Sequence, residues 1–128
     1  MYKASYKNLK IWQRAMEIAE KAYQLTRRFP AEELYTLTSQ IRRAAISIPS
    51  NIAEGSQRIS DREFGNFILI ARGSLAEMES QFLLSVKFGY LIGAEVDFML
   101  KQTDELSKML FAFYKKLSAQ SSQLKAVC

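Results

Sequence analysis

Basic side chains are concentrated in the first 30 residues of this 128-residue chain. That segment carries seven lysines and arginines and two glutamates, whereas the remainder carries 11 basic and 11 acidic side chains, so the net charge of +5 arises at the N-terminal end. Cations that recur every three or four residues along a helix can neutralise successive phosphates of a nucleic acid. The same spacing is also typical of a solvated helix face. The candidate nucleic-acid-binding residues are Lys7, Lys10, Arg14, Lys21 and Arg28, with Arg58 and Arg62 further along the chain.

The segment 40–55 places polar side chains among apolar ones and contains an internal proline. Pro49 has no backbone N–H group, so a helix that passes through it leaves a carbonyl group without its usual donor. The side chains of Ser47, Ser50 or Asn51 can satisfy carbonyl groups freed in this way. We therefore interpret these polar residues as parts of a helix, and we expect no catalytic chemistry from them.

Glu54, at the end of the same segment, falls at the edge of the apolar face and is expected to be partly buried. A buried carboxylate needs a cationic partner, and we expect Arg72, or Arg43 of a neighbouring subunit, to supply it. Gly73 follows Arg72 and is a lone glycine in a helical pattern, which favours close packing of helices. The expected role of all four residues is structural.

Composition excludes most enzyme classes. The chain has no histidine, which removes Cys/His zinc sites, haem-ligating histidines, Ser-His-Asp triads and a histidine general base. The single cysteine, Cys128, has no partner for an internal disulfide. We found no glycine-rich phosphate loop, no cluster of metal-ligand type and no apolar stretch suited to a membrane or a signal peptide. The sequence predicts a cytoplasmic protein that is not an enzyme, binds no cofactor or metal, and contacts no membrane.

Apolar residues recur with a helical period in four segments, at about 8–28, 33–55 or slightly beyond, 60–88, and 94–118 or further. Asn8 is positioned to cap the first helix, Ser60 and Glu63 have the spacing of a capping box, and Gly89 is a natural C-terminal cap. The apolar period continues across Pro49, which predicts a kinked second helix, and a break into two helices at 47–48 is the alternative.

Four helices joined by short connections predict an all-α fold, an antiparallel up-down-up-down four-helix bundle. The whole chain, 1–128, is expected to form this single domain. Residues 1–7 are expected to form an N-terminal arm, and residues from about 119 to 128 a disordered tail.

The first and third helices carry more apolar surface than one bundle core needs. On the first helix two apolar stripes lie side by side: Leu9, Trp12, Met16, Ala19, Tyr23 and Thr26 form one, and Ile11, Ala15, Ile18, Ala22, Leu25 and Phe29 form the other. A second stripe left in water would exceed the apolar patch that a monomer tolerates. We therefore expect self-association, either as an antiparallel dimer or as a closed ring.

Three strings of residues resemble a known family over nearly the whole chain, roughly residues 5–118. Besides the pair Phe29-Pro30, they are Leu9-Lys10-Ile11-Trp12-Gln13-Arg14-Ala15, then Ile41-Arg42-Arg43-Ala44 continuing through Ser47-Ile48-Pro49-Ser50-Asn51-Ile52-Ala53-Glu54-Gly55, and Ile70-Ala71-Arg72-Gly73-Ser74-Leu75-Ala76-Glu77. They resemble the proteins encoded in intervening sequences of bacterial 23S ribosomal RNA genes, often labelled as a ribosomal protein. The resemblance implies a four-helix bundle that assembles as a homopentamer, and kinship with the accessory variability determinant of diversity-generating retroelements.

The resemblance also marks pattern residues, to which it assigns no catalytic role. They are Trp12, Arg42, Arg43, Pro49, Asn51, Glu54, Gly55, Gly73 and Ser74.

Two functional hypotheses follow. In the first, an oligomeric bundle, expected to be a pentamer, binds nucleic acid, RNA foremost or DNA, through the basic surface of its first helix. In the second, the oligomer is a scaffold for another protein and has no role with nucleic acid. Reversing the charges on the first helix separates them, because only the first hypothesis requires those charges.

Overall fold

Six helical elements follow one another along the chain. The computed structural model describes the backbone of residues 5–127 and the side chains of residues 5–121. The elements are a short 3-10 helix at Tyr6–Asn8, α1 at Lys10–Thr26, a second 3-10 helix at Ala31–Glu33, α2 at Leu37–Ser56, α3 at Asp61–Lys87 and α4 at Gly93–Val127. No strand occurs among these residues, so the predicted all-α fold with four long helices is confirmed. The part of the predicted arm at residues 1–4 lies outside the described residues.

The four helices surround one core in chain order. Within the described part of the chain, α1 lies next to α2 and α4, and α3 next to α2 and α4, while no Cα atoms of α1 and α3, or of α2 and α4, lie within 8 Å of each other. Side-chain contacts between neighbours run in opposite residue order, so neighbouring helices are antiparallel. These contacts are Arg14–Glu105 between α1 and α4, with Arg28–Glu95 just beyond the end of α1, Ser47–Ser74 and Gly55–Phe67 between α2 and α3, and Gly65–Tyr114 and Arg72–Ser107 between α3 and α4.

Burial decides between the two apolar stripes of α1. The stripe that begins at Ile11 is buried in the core and ends at Phe29, which is 8% exposed. The other stripe is only partly covered, and Met16 in its middle is 45% exposed. The core is completed by one stripe from each other helix, with its largest fully buried side chains at Phe82, Ile41, Ile48, Ile52, Ile68, Leu75, Met78, Met99, Leu106, Leu110, Leu117 and Val96. Each helix therefore uses one face for the core, and α1 has an apolar face left over.

α2 is continuous through Pro49, so the alternative of two helices divided at 47–48 is wrong. Pro49 is itself buried, and the Asn51 side chain donates through Nδ2 to the Ser47 carbonyl oxygen at 2.7 Å. Packing on both sides of the proline holds the helix together despite the missing backbone hydrogen bond. The kink at this position stays a prediction.

Both ends of the chain differ from the expected boundaries. The N-terminal cap of α1 is Leu9, which makes no side-chain capping bond, because Asn8 is used by the preceding 3-10 helix; Asn8 as the cap is wrong. At the other end, α4 is helical to Val127, so the described residues after 118 are not an irregular tail. Once a helix is formed, each further residue adds one backbone hydrogen bond, and the alanine, glutamine, leucine and lysine of this segment are good helix formers.

The ends of α3 follow the local sequence closely. The Ser60 side chain accepts a hydrogen bond from the Glu63 backbone N–H at 3.1 Å, as the capping-box spacing predicts. At the other end Gly89 has φ of +83°, and the N–H of Tyr90 donates to the Ser85 carbonyl at 2.9 Å, which is the hydrogen bond of a Schellman cap. Both predicted caps of α3 are confirmed.

Replacing Ser60 with alanine is expected to lower the free energy of unfolding by about 1 kcal/mol, because the Glu63 N–H loses its acceptor at the helix end. Chemical denaturation measures this change. The matched control is Ser80→Ala on the exposed side of the same helix, which should be neutral or slightly stabilising because alanine is the better helix former. Equal stability of the two variants would contradict the capping role of Ser60.

Candidate nucleic-acid interface

The antiparallel fold brings predicted basic residues from distant parts of the chain to one end of the bundle. α1 begins where α2 ends, since Trp12 and Ala53 line the same groove, and α3 begins at that end as well. Arg62, at the start of α3, lines a pocket together with Tyr114, so the C-terminal half of α4 also lies at this end of the bundle. We call this the basic end, and its exposed cations are Lys7, Lys10, Arg58, Arg62, Lys115 and Lys116.

Lys115 and Lys116 are not among the basic residues that the sequence analysis singled out. In the sequence they lie more than 80 residues after the basic N-terminal segment. The signal that places them is the topology, because the late part of the fourth helix in an up-down-up-down bundle lies beside the beginning of the first.

Lys21 and Arg28 do not belong to the basic end. Lys21 lies in the half of α1 that runs toward the other end of the bundle, and Arg28, just beyond the end of α1, forms an ion pair with Glu95. The hydrogen bond from Arg28 holds the pKa of the Glu95 carboxyl below its ordinary value, with smaller contributions that include the positive charge of Lys21. The structure therefore separates the predicted basic strip into two parts and pairs one of the two predicted residues of the second part, Arg28, with an acid.

Two further predicted residues are paired with acids of the same chain. Arg14 Nη1 lies 3.2 Å from Glu105 Oε1, and Arg58 Nη2 lies 2.8 Å from Glu54 Oε2. Both pairs are exposed, and exposed pairs contribute only about 0–1 kcal/mol, so a phosphate can replace the carboxylate at little cost. Lys7, Lys10 and Arg62 form no ion pair with any described residue, so they can contact a phosphate without first breaking one.

Glu54 differs from the expectation of a partly buried carboxylate. Its side chain is exposed and pairs with Arg58, four residues later in the connection between α2 and α3, and not with Arg72. Arg72 is directed to α4, where its Nε donates to Ser107 Oγ at 3.1 Å and its guanidinium lies 4.6 Å from the centre of the Phe111 ring. The prediction was wrong because a small difference in helix phase at the edge of an apolar face decides whether a side chain meets a neighbour or water.

Two pattern residues, Asn51 and Ser74, belong to one polar network between α2 and α3. The Ser47 and Ser74 hydroxyl oxygens lie 2.9 Å apart, and Asn51 Nδ2 donates to Ser47 Oγ at 2.8 Å. Ser47 therefore links the other two. A satisfied polar network between helices fixes their register, because any slip leaves its groups unpaired. The arrangement explains these residues structurally and offers no nucleophile with an adjacent base.

The two pattern glycines have opposite surroundings. A Cβ atom at Gly55 would lie 2.6 Å from the Cβ of Phe67 and 2.9 Å from Cδ1 of Phe64, so α2 and α3 approach each other here as only glycine permits. A Cβ atom at Gly73 would meet nothing within 4 Å, and the residue is exposed. The prediction of close helix packing at Gly73 is therefore wrong within one chain, and close packing occurs instead at Gly55, where it was not predicted.

An apolar groove of about 470 Å³ runs between α1 and α2, and it is lined by the uncovered stripe of α1. The ring of Trp12 packs edge-on against Tyr6, with 5.3 Å between the ring centres. Pro49 lies in the α2 wall of the groove, together with Ile46, which is 47% exposed. The pattern residues Trp12 and Pro49 thus shape an apolar surface that faces solvent.

Arg42 and Arg43 adjoin this groove at the end of the bundle opposite to the basic end. Arg42 of α2 contacts two residues of α1. Its Nε donates to Thr26 Oγ1 at 3.0 Å, and its guanidinium lies 4.5 Å from the centre of the Tyr23 ring. Arg43 is exposed and pairs with no carboxylate of the described residues. Both arginines line a second cavity of about 410 Å³.

The described residues contain neither a membrane-spanning helix nor a metal-binding cluster. Among residues 5–127, none of the helices combines the length and the apolar composition that a membrane crossing requires. No group of three histidine, cysteine, aspartate or glutamate side chains within the described part of the chain is placed to hold a metal ion.

Comparison with known proteins agrees with this picture of the fold. A solved structure of a protein of unknown function from the S23 ribosomal protein family of Bacteroides thetaiotaomicron is similar, with a TM-score of 0.73 and 23% identity over 82% of this chain and 98% of that chain. None of the curated proteins compared with the chain matches it. A family model described as 23S rRNA-intervening sequence protein matches residues 7–112. The chain therefore belongs to the 23S rRNA-intervening sequence protein family.

Proposed function

We propose that this protein is a non-enzymatic homo-oligomer, a ring of five subunits, that binds structured RNA through the basic ends of its bundles. The observation that carries the proposal is the convergence of six exposed cations from three regions of the chain at one end of the bundle. Membership of a family that is described by its connection with 23S rRNA agrees with RNA as the ligand. The number five comes from the resemblance to this family.

Two apolar faces support self-association. The first apolar face is the groove between α1 and α2, with Trp12, Met16, Ile46 and Pro49. The second apolar face lies between α3 and α4; it contains Leu69 at 39%, Leu83 at 50% and Phe111 at 39% exposure, with Ala76 between the two leucines. Because α1 and α2 form one side of the bundle and α3 and α4 the opposite side, the two faces point in opposite directions.

Faces on opposite sides favour head-to-tail contacts, in which the first apolar face of one subunit packs on the second apolar face of the next. Contacts of this kind close into a ring when the rotation between subunits divides a full turn. They also leave both ends of every bundle uncovered. If the bundles stand parallel to the ring axis, rotational symmetry places all the basic ends on the same side, where several weak sites act together and gain affinity.

The RNA-binding proposal predicts a charge effect that is confined to the basic end. In the triple variant Lys7→Glu, Lys10→Glu and Arg62→Glu, we expect binding of a structured RNA to be at least about tenfold weaker at low salt. We also expect a shallower salt dependence, by roughly one unit of slope for each phosphate that is no longer neutralised. Fluorescence anisotropy with a labelled RNA hairpin at several salt concentrations measures both quantities.

The matched control reverses three exposed cations away from the basic end, Arg27→Glu, Lys87→Glu and Lys101→Glu, and so changes the net charge equally. It should bind RNA nearly as well as the natural protein, since a local interface depends on position and net charge acts only weakly at a distance. Equal losses in the two triple variants would reject a defined interface. RNA binding that is absent while the oligomer persists would favour the protein scaffold instead.

A further inference from the structure

A half-buried guanidinium without a carboxylate partner lies between α1 and α2. Arg42 donates through Nε to Thr26 Oγ1 and covers the ring of Tyr23, but no carboxylate of the described residues pairs with it. The exposed arginines Arg14 and Arg58 are paired with glutamates although water surrounds them. A partly desolvated cation without a counter-charge costs free energy, so this position favours an anion.

The orientation of Arg42 is fixed by its two contacts, which leaves one edge of the guanidinium unused. Nε is occupied by Thr26, and Nη1 and Nη2 donate to no described residue. A guanidinium edge with both terminal nitrogens free can donate two parallel hydrogen bonds to a phosphate or a carboxylate. Because the side chain is already ordered, little conformational entropy is lost when an anion binds.

The remaining walls of the cavity, which we call the Arg42 notch, supply a second cation, hydroxyl groups and apolar surface. Arg43, Thr38 and Ser39 line it, and Leu34 and Ile46 form its apolar part. Thr38 is only 4% exposed, yet no hydrogen bond joins its hydroxyl to another described residue. The hydroxyl oxygen is not itself fully buried, so water reaches it in the free protein and it can donate a hydrogen bond to a bound acceptor.

We propose that the Arg42 notch binds the phosphoryl group of an organic phosphate. Arg42 is the fixed two-point donor, Arg43 the second cation and Thr38 a hydroxyl donor. Two guanidinium groups and a hydroxyl match the two negative charges and three oxygens of a phosphoryl group better than the single charge of a carboxylate. The volume of about 410 Å³ leaves room for an organic group against Leu34 and Ile46. The notch lies away from the basic end, so this proposal does not depend on RNA binding there.

Isothermal titration of the full-length, assembled protein tests the notch with three probes: inorganic phosphate, adenosine monophosphate and a short single-stranded RNA. We expect saturable binding of inorganic phosphate or adenosine monophosphate, at least about tenfold weaker in Arg43→Gln and undetectable in the double variant Arg42→Gln and Arg43→Gln, whereas RNA binding at the basic end should persist in both variants. Arg43 is exposed and forms no hydrogen bond or ion pair with a described residue. We therefore expect Arg43→Gln to fold normally. Its affinity for the probes tests the notch even if Arg42→Gln disturbs the packing between α1 and α2.

Arg72 provides a matched control within the same chain. Its Nε donates to a serine hydroxyl and its guanidinium covers an aromatic ring, as Arg42 does, but no second arginine lines its cavity. Arg72→Gln should therefore keep the natural affinity for the probes. A loss of affinity in Arg72→Gln equal to that in Arg43→Gln would overturn the assignment to the Arg42 notch.

The probes also separate the sources of the phosphoryl group. Adenosine monophosphate that binds as tightly as inorganic phosphate, or more tightly, assigns the notch to small phosphates. RNA binding that is lost in the double variant, with no binding of the monophosphate, assigns it to a phosphate of a polymer. The proposal is overturned if none of the three probes binds saturably at millimolar concentration, or if the double variant binds as well as the natural protein.

Discussion

Replacing Gly55 with alanine is expected to destabilise the protein by about 2 kcal/mol, a large effect for the addition of one methyl group. The new Cβ would lie 2.6 Å from the Cβ of Phe67, which is attached to the α3 backbone and cannot rotate away. α2 and α3 must therefore move apart, and overpacking of this kind costs about 1–3 kcal/mol or more. For a chain of this length we expect the unfolding temperature to fall by roughly 8 °C, measured by circular dichroism.

Gly73→Ala is the control that makes this result specific. Gly73 also lies inside a long helix, but a Cβ there meets nothing within 4 Å. The usual advantage of alanine over glycine in a helix should therefore appear, and stability should rise by about 0.5–1 kcal/mol. A Gly55→Ala variant as stable as Gly73→Ala would show that α2 and α3 are not in close contact at Gly55.

Mixing two assembly-defective variants is expected to produce dimers and nothing larger. The first variant, Met16→Glu and Ile46→Glu, places charges on the first apolar face. The second, Leu69→Glu and Leu83→Glu, places charges on the second apolar face. All four side chains are at least 39% exposed, so the core of each subunit is unchanged. Each variant alone should be monomeric, because burying an unpaired carboxylate at a subunit contact is strongly unfavourable.

In a head-to-tail ring the intact second face of the first variant binds the intact first face of the second variant, and the chain of contacts then ends. Sedimentation velocity of each variant and of the equimolar mixture measures the outcome. If either variant forms dimers by itself, that dimer joins two copies of one face, and the ring is excluded. A natural protein that is monomeric at micromolar concentration would reject self-association altogether.

Local sequence determined the features that depend on residues within one or two turns. The four helices, the serine cap at Ser60 and the glycine cap at Gly89 were predictable because each uses hydrogen bonds between residues close in the chain. The predicted cap at Asn8 failed because a second local structure, the 3-10 helix, competes for the same residue. The second apolar face of α1 was also predictable from residue spacing alone, because the helical period determines which side chains share a face.

Only the tertiary structure decided what each face meets. Spacing could not tell which stripe of α1 enters the core, because both stripes have equal period, and packing against α2 and α4 buries the one that begins at Ile11. It could not distinguish Gly55 from Gly73, since the difference is a phenylalanine on another helix. It also could not show that the basic end forms, because its cations come from the first 3-10 helix and α1, from the α2–α3 connection and the start of α3, and from α4. These properties arise from how helices distant in sequence pack together, and no single segment carries that information.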